Sequence, residues 1–131
     1  MSSEPIPVTE AEAAVMEVLW QSSPRSSEEV VAAVAPATGW AEPTIKTLLN
    51  RLLNKGAISA EREGRRYLYS PVLAREAWVE QQSEGLLARL FGGRVAPLVA
   101  HFSERGRLSA ADIAELKRLV SELEEGEADG R

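Results

Sequence analysis

Cysteine is absent from this 131-residue chain. That excludes disulfides, thiolate nucleophiles and cysteine-based zinc or iron–sulfur sites. Histidine occurs once, as His101. A metal site needs three or four ligands, and no second imidazole or thiolate exists, so no metal is expected. No apolar run reaches the roughly 18 residues that a membrane-spanning helix requires. The opening stretch MSSEPIPVTE holds neither a basic region nor an apolar one, so no secretory signal is expected and a cytoplasmic location is the default. No glycine-rich phosphate loop, GxSxG or HExxH occurs. Glu61 and Glu63 face the same side of a strand but lie on an exposed segment, and read as solvated charge and not as an acid/base pair. No catalytic set is visible, so neither an enzyme nor a cofactor is expected.

The charge that is present is unevenly placed. The net charge is −5. Yet residues 40–75 carry seven bases (Lys46, Arg51, Lys55, Arg62, Arg65, Arg66, Arg75) against three acids, a local excess of +4. Residues 76–131 carry seven bases and eleven acids. A positive stretch on an acidic chain is the footprint of a local phosphate contact.

Periodicity predicts three helices, then a hairpin, then three more helices. Thr9-Glu10-Ala11-Glu12 fits a capping box that opens the first helix, with Ala11, Ala14, Val15, Val18 and Leu19 on one face and Pro24 beyond its end. Ser26-Ser27-Glu28-Glu29 opens a short second helix with Val30, Val31 and Val34 inward, broken by Pro36 and Gly39. Pro43 stands at the first position of a third, where its missing N–H has no partner in any case. Ile45, Leu48, Leu49, Leu52 and Leu53 form its apolar stripe, and Gly56 closes it with Lys55 in the last turn. Its other face, Thr44, Lys46, Thr47, Asn50, Arg51 and Asn54, holds cations and hydrogen-bonding groups and no acid. Alternation over 58–62 and 67–70 around Glu63-Gly64-Arg65-Arg66 predicts a β-hairpin ended by Pro71. Helices are predicted from Ala74 to about Phe91, from Val95 to about Phe102, and from a Ser109 cap onward, with an acidic, frayed tail from Glu124 to Arg131.

Three helices followed by a hairpin is the winged helix-turn-helix pattern. The fold class expected is mainly α with a small β-hairpin wing: a winged-helix DNA-binding domain over 1–73 and a helical dimerisation domain over 74–131. The third helix can lie in a major groove. Thr44, Thr47 and Arg51, spaced i, i+3, i+7, share one side and suit base reading. Lys46, Asn50, Lys55, Arg65 and Arg66 suit phosphate contact. Leu86, Leu87, Leu90, Leu98, Ile113, Leu116, Leu119, Val120 and Leu123 are too much apolar surface for a free tail, so a two-fold homodimer through these helices is expected. Trp20, Trp40 and Trp78 read as core. A winged-helix protein-interaction module and a small-molecule-sensing regulator are the alternatives, although short C-terminal helices leave little room for a ligand pocket.

The residues also carry a family resemblance. Residues 12–20 (EAAVMEVLW), 44–56 (TIKTLLNRLLNKG), 63–71 (EGRRYLYSP), 86–93 (LLARLFGG) and 98–102 (LVAHF) resemble BlaI/MecI/CopY-type repressors along nearly the whole chain. The resemblance implies a bacterial repressor of antibiotic-resistance, cell-wall-stress or metal-response genes, with an N-terminal winged helix and a C-terminal dimerisation domain. Pro43 stands where the family often has a base, Lys46 replaces a common arginine and Asn50 a common threonine, so no operator sequence transfers. The copper-responsive branch ends in a cysteine metal site that this chain lacks. The β-lactam branch is released by a membrane sensor peptidase, and by resemblance the cut corresponds to the His101–Phe102 bond here.

Overall fold

A computed structural model describes residues 6–128. The residues before Ile6 and residues 129–131 of the predicted frayed tail lie outside that range. The element order is α1 (Glu10–Gln21), β1 (Arg25–Ser26), α2 (Ser27–Thr38), α3 (Glu42–Lys55), β2 (Ile58–Glu63), β3 (Arg66–Pro71), α4 (Arg75–Phe91), α5 (Val95–Glu104) and α6 (Ala110–Ala128). The chain divides into two compact units, the first ending at Ser83 and the second beginning at Glu84.

In the first unit α1 and α2 begin where a side chain satisfies free N–H groups. Thr9 caps α1 and Ser26 caps α2, each in a reciprocal capping box with Glu12 and Glu29. The helix α3 has no side-chain cap; Ala41 precedes it, and Pro43 falls one position inside its first turn. Gly56 ends α3 at a φ of +81°, conformational space that a residue with a Cβ rarely enters. The next residue, Ala57, donates back to the Leu52 carbonyl at 3.0 Å, and both are buried. That is a Schellman closure with its apolar contact. The core gathers Val15, Met16 and Leu19 from α1, Val30 and Val34 from α2, and Ile45, Leu48, Leu49 and Leu52 from α3, with Ile58 and Leu73 closing it.

Several local expectations change. Pro36 does not break α2; it lies inside the helix, which runs on to Thr38 and ends at Gly39 in the left-handed region. Its missing N–H costs one helix hydrogen bond, and only Ala37 and Thr38 follow it before the helix ends. The hairpin is one edge of a three-stranded antiparallel sheet, ordered β1-β3-β2. Its third strand is the two-residue β1, paired as Arg25 with Tyr69 and Ser26 with Leu68. Two residues are too few to show alternation. Trp20 and Trp78 meet at a tilt of 39° with ring centroids 5.4 Å apart, and the Trp20 indole donates to the Leu73 carbonyl at 2.8 Å. The start of α4 therefore packs with the first unit, whose contacts extend to Ser83.

The second unit holds the rest of α4 with α5 and α6. Ser109 caps α6 in a reciprocal box with Asp112. The helix continues to Ala128, so residues 124–128 of the predicted frayed tail are helical. None of its described residues is buried. Leu90 is 65% exposed and Leu123 70%.

Candidate nucleic-acid interface

The outer face of α3 is set by what its inner face buries. With Ile45, Leu48, Leu49 and Leu52 turned into the core, Thr44, Lys46, Thr47, Asn50 and Arg51 are all exposed. Thr44, Thr47 and Arg51 share one side of a single helix, as their spacing predicted. The absence of acid on this face does not hold: α3 begins at Glu42, whose carboxylate meets Lys46 Nζ at 2.8 Å. Hydrogen bonding to Glu42 and its negative charge hold the Lys46 ammonium above its usual range. Lys46 is thus an exposed cation paired with an exposed carboxylate.

The wing has a two-residue turn, Gly64-Arg65, between Glu63 and Arg66, with Gly64 at a φ of +64°. Arg65 is exposed at its tip and has no ion pair among the described residues. Arg66 meets Glu63 across the turn at 3.1 Å. Ile58, Ala60 and Arg62 lie opposite Pro71, Tyr69 and Tyr67 on one face of the hairpin. That face is buried at its base and exposed at its tip, where Tyr67 is 49% exposed.

Lys55 departs from the expected phosphate contacts. Its ammonium lies 2.5 Å from the Glu12 carboxylate and 2.9 Å from the Pro7 carbonyl. Glu12 is 1% exposed and also accepts from the Thr9 N–H at 3.0 Å. Burial pushes the Glu12 carboxyl up, but the hydrogen bonds from Lys55 and Thr9 and the Lys55 charge outweigh it and the net shift is down. Sequence reading assigned Glu12 only a capping role. The missed signal was its spacing to Val15, Met16 and Leu19, which places a carboxylate on the buried face of α1 and so calls for a buried cation. Arg25 in β1 was also missed; its guanidinium Nε donates to the Ser22 carbonyl at 2.8 Å.

In the second unit, His101 and Phe102 fall inside α5, which runs two residues beyond the expected end at about Phe102. Their rings meet edge to face at 5.2 Å, and Phe102 is 42% exposed. Gly106, at a φ of +69°, closes α5, with Arg107 donating to the Phe102 carbonyl at 2.9 Å. The expectation of little room for a pocket does not hold. Leu98, Val99, Phe102, Leu108, Leu116 and Leu119, with Arg107, Asp112 and Glu115, line a groove of 410 Å³. A second, of 510 Å³, is lined by Leu108, Ile113, Leu116, Lys117, Val120 and Ser121.

A family model described as "Penicillinase repressor" matches residues 8–122. This chain belongs to the penicillinase repressor family. The Bacillus licheniformis penicillinase repressor is 33% identical over 115 residues, covering 88% of this chain and 90% of that one. The methicillin resistance regulatory protein MecI of Staphylococcus aureus strain N315 is 24% identical over 121 residues, covering 92% of this chain and 98% of that one. Among solved structures, the DNA-binding domain of the family's repressor BlaI superposes with a TM-score of 0.52 at 35% identity, over 56% of this chain and 92% of that one. Monomeric Bacillus licheniformis BlaI in complex with the blaP half-operator gives 0.50 at 35% identity, over 56% and 90%. The superposed family fold is a winged helix.

Proposed function

We propose that this chain is a sequence-specific DNA-binding transcriptional repressor that acts as a homodimer on palindromic operators in the bacterial cytoplasm. One observation carries the reading: α3 buries one face in the core and offers Thr44, Thr47, Asn50 and Arg51 on the other, in a family with a relative solved on a half-operator. A major groove admits such a helix. Arg51 presents a bidentate fork to guanine, and Thr44 and Thr47 present hydroxyls to base edges and methyls to thymine. Lys46, Asn50, Arg65 and Arg66 hold phosphates and set the register. Lys55 is left out of this set because its ammonium is already engaged by Glu12.

Residues 84–131 supply dimerisation. Leu86, Leu90, Ile113, Leu119, Val120 and Leu123 are exposed in the single chain, and Leu87, Leu98 and Leu116 are half-buried. Such a display is apolar surface awaiting a partner. Release follows from cleavage at His101–Phe102 by a membrane sensor peptidase, a role supported by the family membership and by the exposure of Phe102. A second reading, ligand sensing in the second unit, has the 410 Å³ apolar groove in its favour.

The deciding experiment begins with a duplex selected from a random pool by the wild-type chain. Arg51→Ala should lower affinity for it by roughly 1–3 kcal/mol and relax preference at one base position. Unchanged affinity and unchanged preference would remove α3 from the DNA.

A further inference from the structure

We infer that Glu12 and Lys55 are positioning residues for DNA reading: their ion pair ties the last turn of α3 to the first turn of α1 and holds the base-reading face at its angle. The inference rests on the reading of α3 as the DNA-facing helix. Lys55 is the last residue of α3, and Glu12 is the third residue of α1. One carboxylate oxygen of Glu12 accepts from two donors at once, the Lys55 ammonium and the Thr9 backbone N–H. The same ammonium donates to the Pro7 carbonyl, in the segment that enters α1. The last residue of α3 is therefore joined to two points of the segment that opens α1, the Pro7 carbonyl and the buried Glu12 carboxylate, 48 and 43 residues earlier in the chain. The apolar packing of α1 on α3 is non-directional and tolerates small sliding. A charged hydrogen bond at 2.5 Å is directional, so it restrains the last turn of α3 against α1 where the apolar contacts leave sliding soft. Lys55 is a cation on the DNA-reading helix whose charge is used inward.

Two readings of Lys55 predict opposite outcomes. If Lys55 held a phosphate, Glu12→Gln would free it, remove a negative charge and tighten binding to every duplex. As a positioning pair, Glu12→Gln should weaken binding to the selected duplex about tenfold, the worth of one misplaced base contact. Affinity for a random-sequence duplex should stay the same or rise, which a general loss of folded protein would not produce. Lys55→Gln should leave the slope of log K against log salt unchanged, whereas losing a phosphate contact lowers it by about 0.9. Lys55→Arg, which keeps a cation in reach of Glu12, should restore binding to the selected duplex. Circular dichroism melts establish that each variant is folded at the temperature used, and the Lys55→Gln slope decides the matter if Glu12→Gln does not fold. Tighter binding of the selected duplex by Glu12→Gln, or a slope lowered by about 0.9 in Lys55→Gln, overturns the inference. Arg51→Ala measured alongside separates the two layers: if it binds as wild type, the DNA-facing reading of α3 fails; if it alone loses affinity, only the positioning inference fails.

Discussion

At the scale of single residues, Glu12 is the one buried carboxylate among the described residues. Its folded pKa lies below the ordinary value of 4.5. A depressed pKa contributes stability that is fully present above the unfolded value and is lost as pH falls through the folded one. Glu12→Gln should therefore cost about 1–3 kcal/mol at neutral pH, the worth of a charged hydrogen bond. That cost should shrink as pH falls below 4.5. Urea melts of both proteins between pH 7 and pH 3 measure it, and a pH-independent difference contradicts the assignment. The two tilted indoles offer a second contrast. The Trp20 Nε1–H is bonded to the Leu73 carbonyl, while the Trp78 Nε1–H is buried with no partner among the described residues. Phenylalanine removes the donor and keeps most of the ring. Trp20→Phe should cost about 1–2 kcal/mol, because it strands a carbonyl, whereas Trp78→Phe should cost well under that or stabilise. Equal losses in denaturant melts would show that ring size, and not the hydrogen bond, governs the pair.

At the scale of elements, the wing and α3 divide their work by what already neutralises their charges. Arg65 has no ion pair among the described residues, while Arg66 faces Glu63. Arg65→Ala should lower the salt slope by about 0.9 and weaken all duplexes alike, the mark of a phosphate contact. Glu63→Gln should strengthen binding to random-sequence DNA by releasing Arg66. A loss of base preference in Arg65→Ala would instead place the wing tip in a groove. Much of this was legible beforehand. The boxes at Thr9, Ser26 and Ser109 fixed three helix starts, because capping chemistry is local and spaced three residues apart. The stripe from Ile45 to Leu53 placed the exposed face of α3. What escaped was non-local. The strand β1 exists only because β3 offers it an edge, and Lys55 turns inward only because Glu12, 43 residues earlier, is buried beside it. Spacing within one element cannot report the partner on another.

At the scale of the whole molecule, the second unit presents apolar side chains along α4, α5 and α6 with none of its described residues buried. A second copy covering this surface is the simplest way to remove it from water. Light scattering at micromolar concentration should give twice the chain mass; a monomer would leave the grooves open and favour the ligand-sensing reading. The proposed dimer also gives the proposed release its logic. With one winged unit of such a dimer bound, the tether would hold its twin near the second half-site at an effective concentration in the millimolar range. Cutting that tether leaves the reading face of α3 intact and removes only the second binding event. The proposed cut, between His101 and Phe102, lies within α5 where Phe102 is 42% exposed, so a peptidase must first open the last turn. The Arg107 N–H bond to the Phe102 carbonyl and the left-handed Gly106 hold that turn closed. Gly106→Ala strains the closure, because a Cβ disfavours a φ of +69°. It should speed limited proteolysis near His101 several-fold while leaving DNA affinity of the intact chain unchanged. A chain ending at His101 loses α6 and the apolar stripe from Ile113 to Leu123. It should sediment as a monomer and bind a palindromic duplex at least about a hundredfold more weakly than the full chain, with affinity for an isolated half-site unchanged. If it remained dimeric and bound the palindrome as tightly, release at this bond would be ruled out, and the dimer contacts would have to lie in the residues before it.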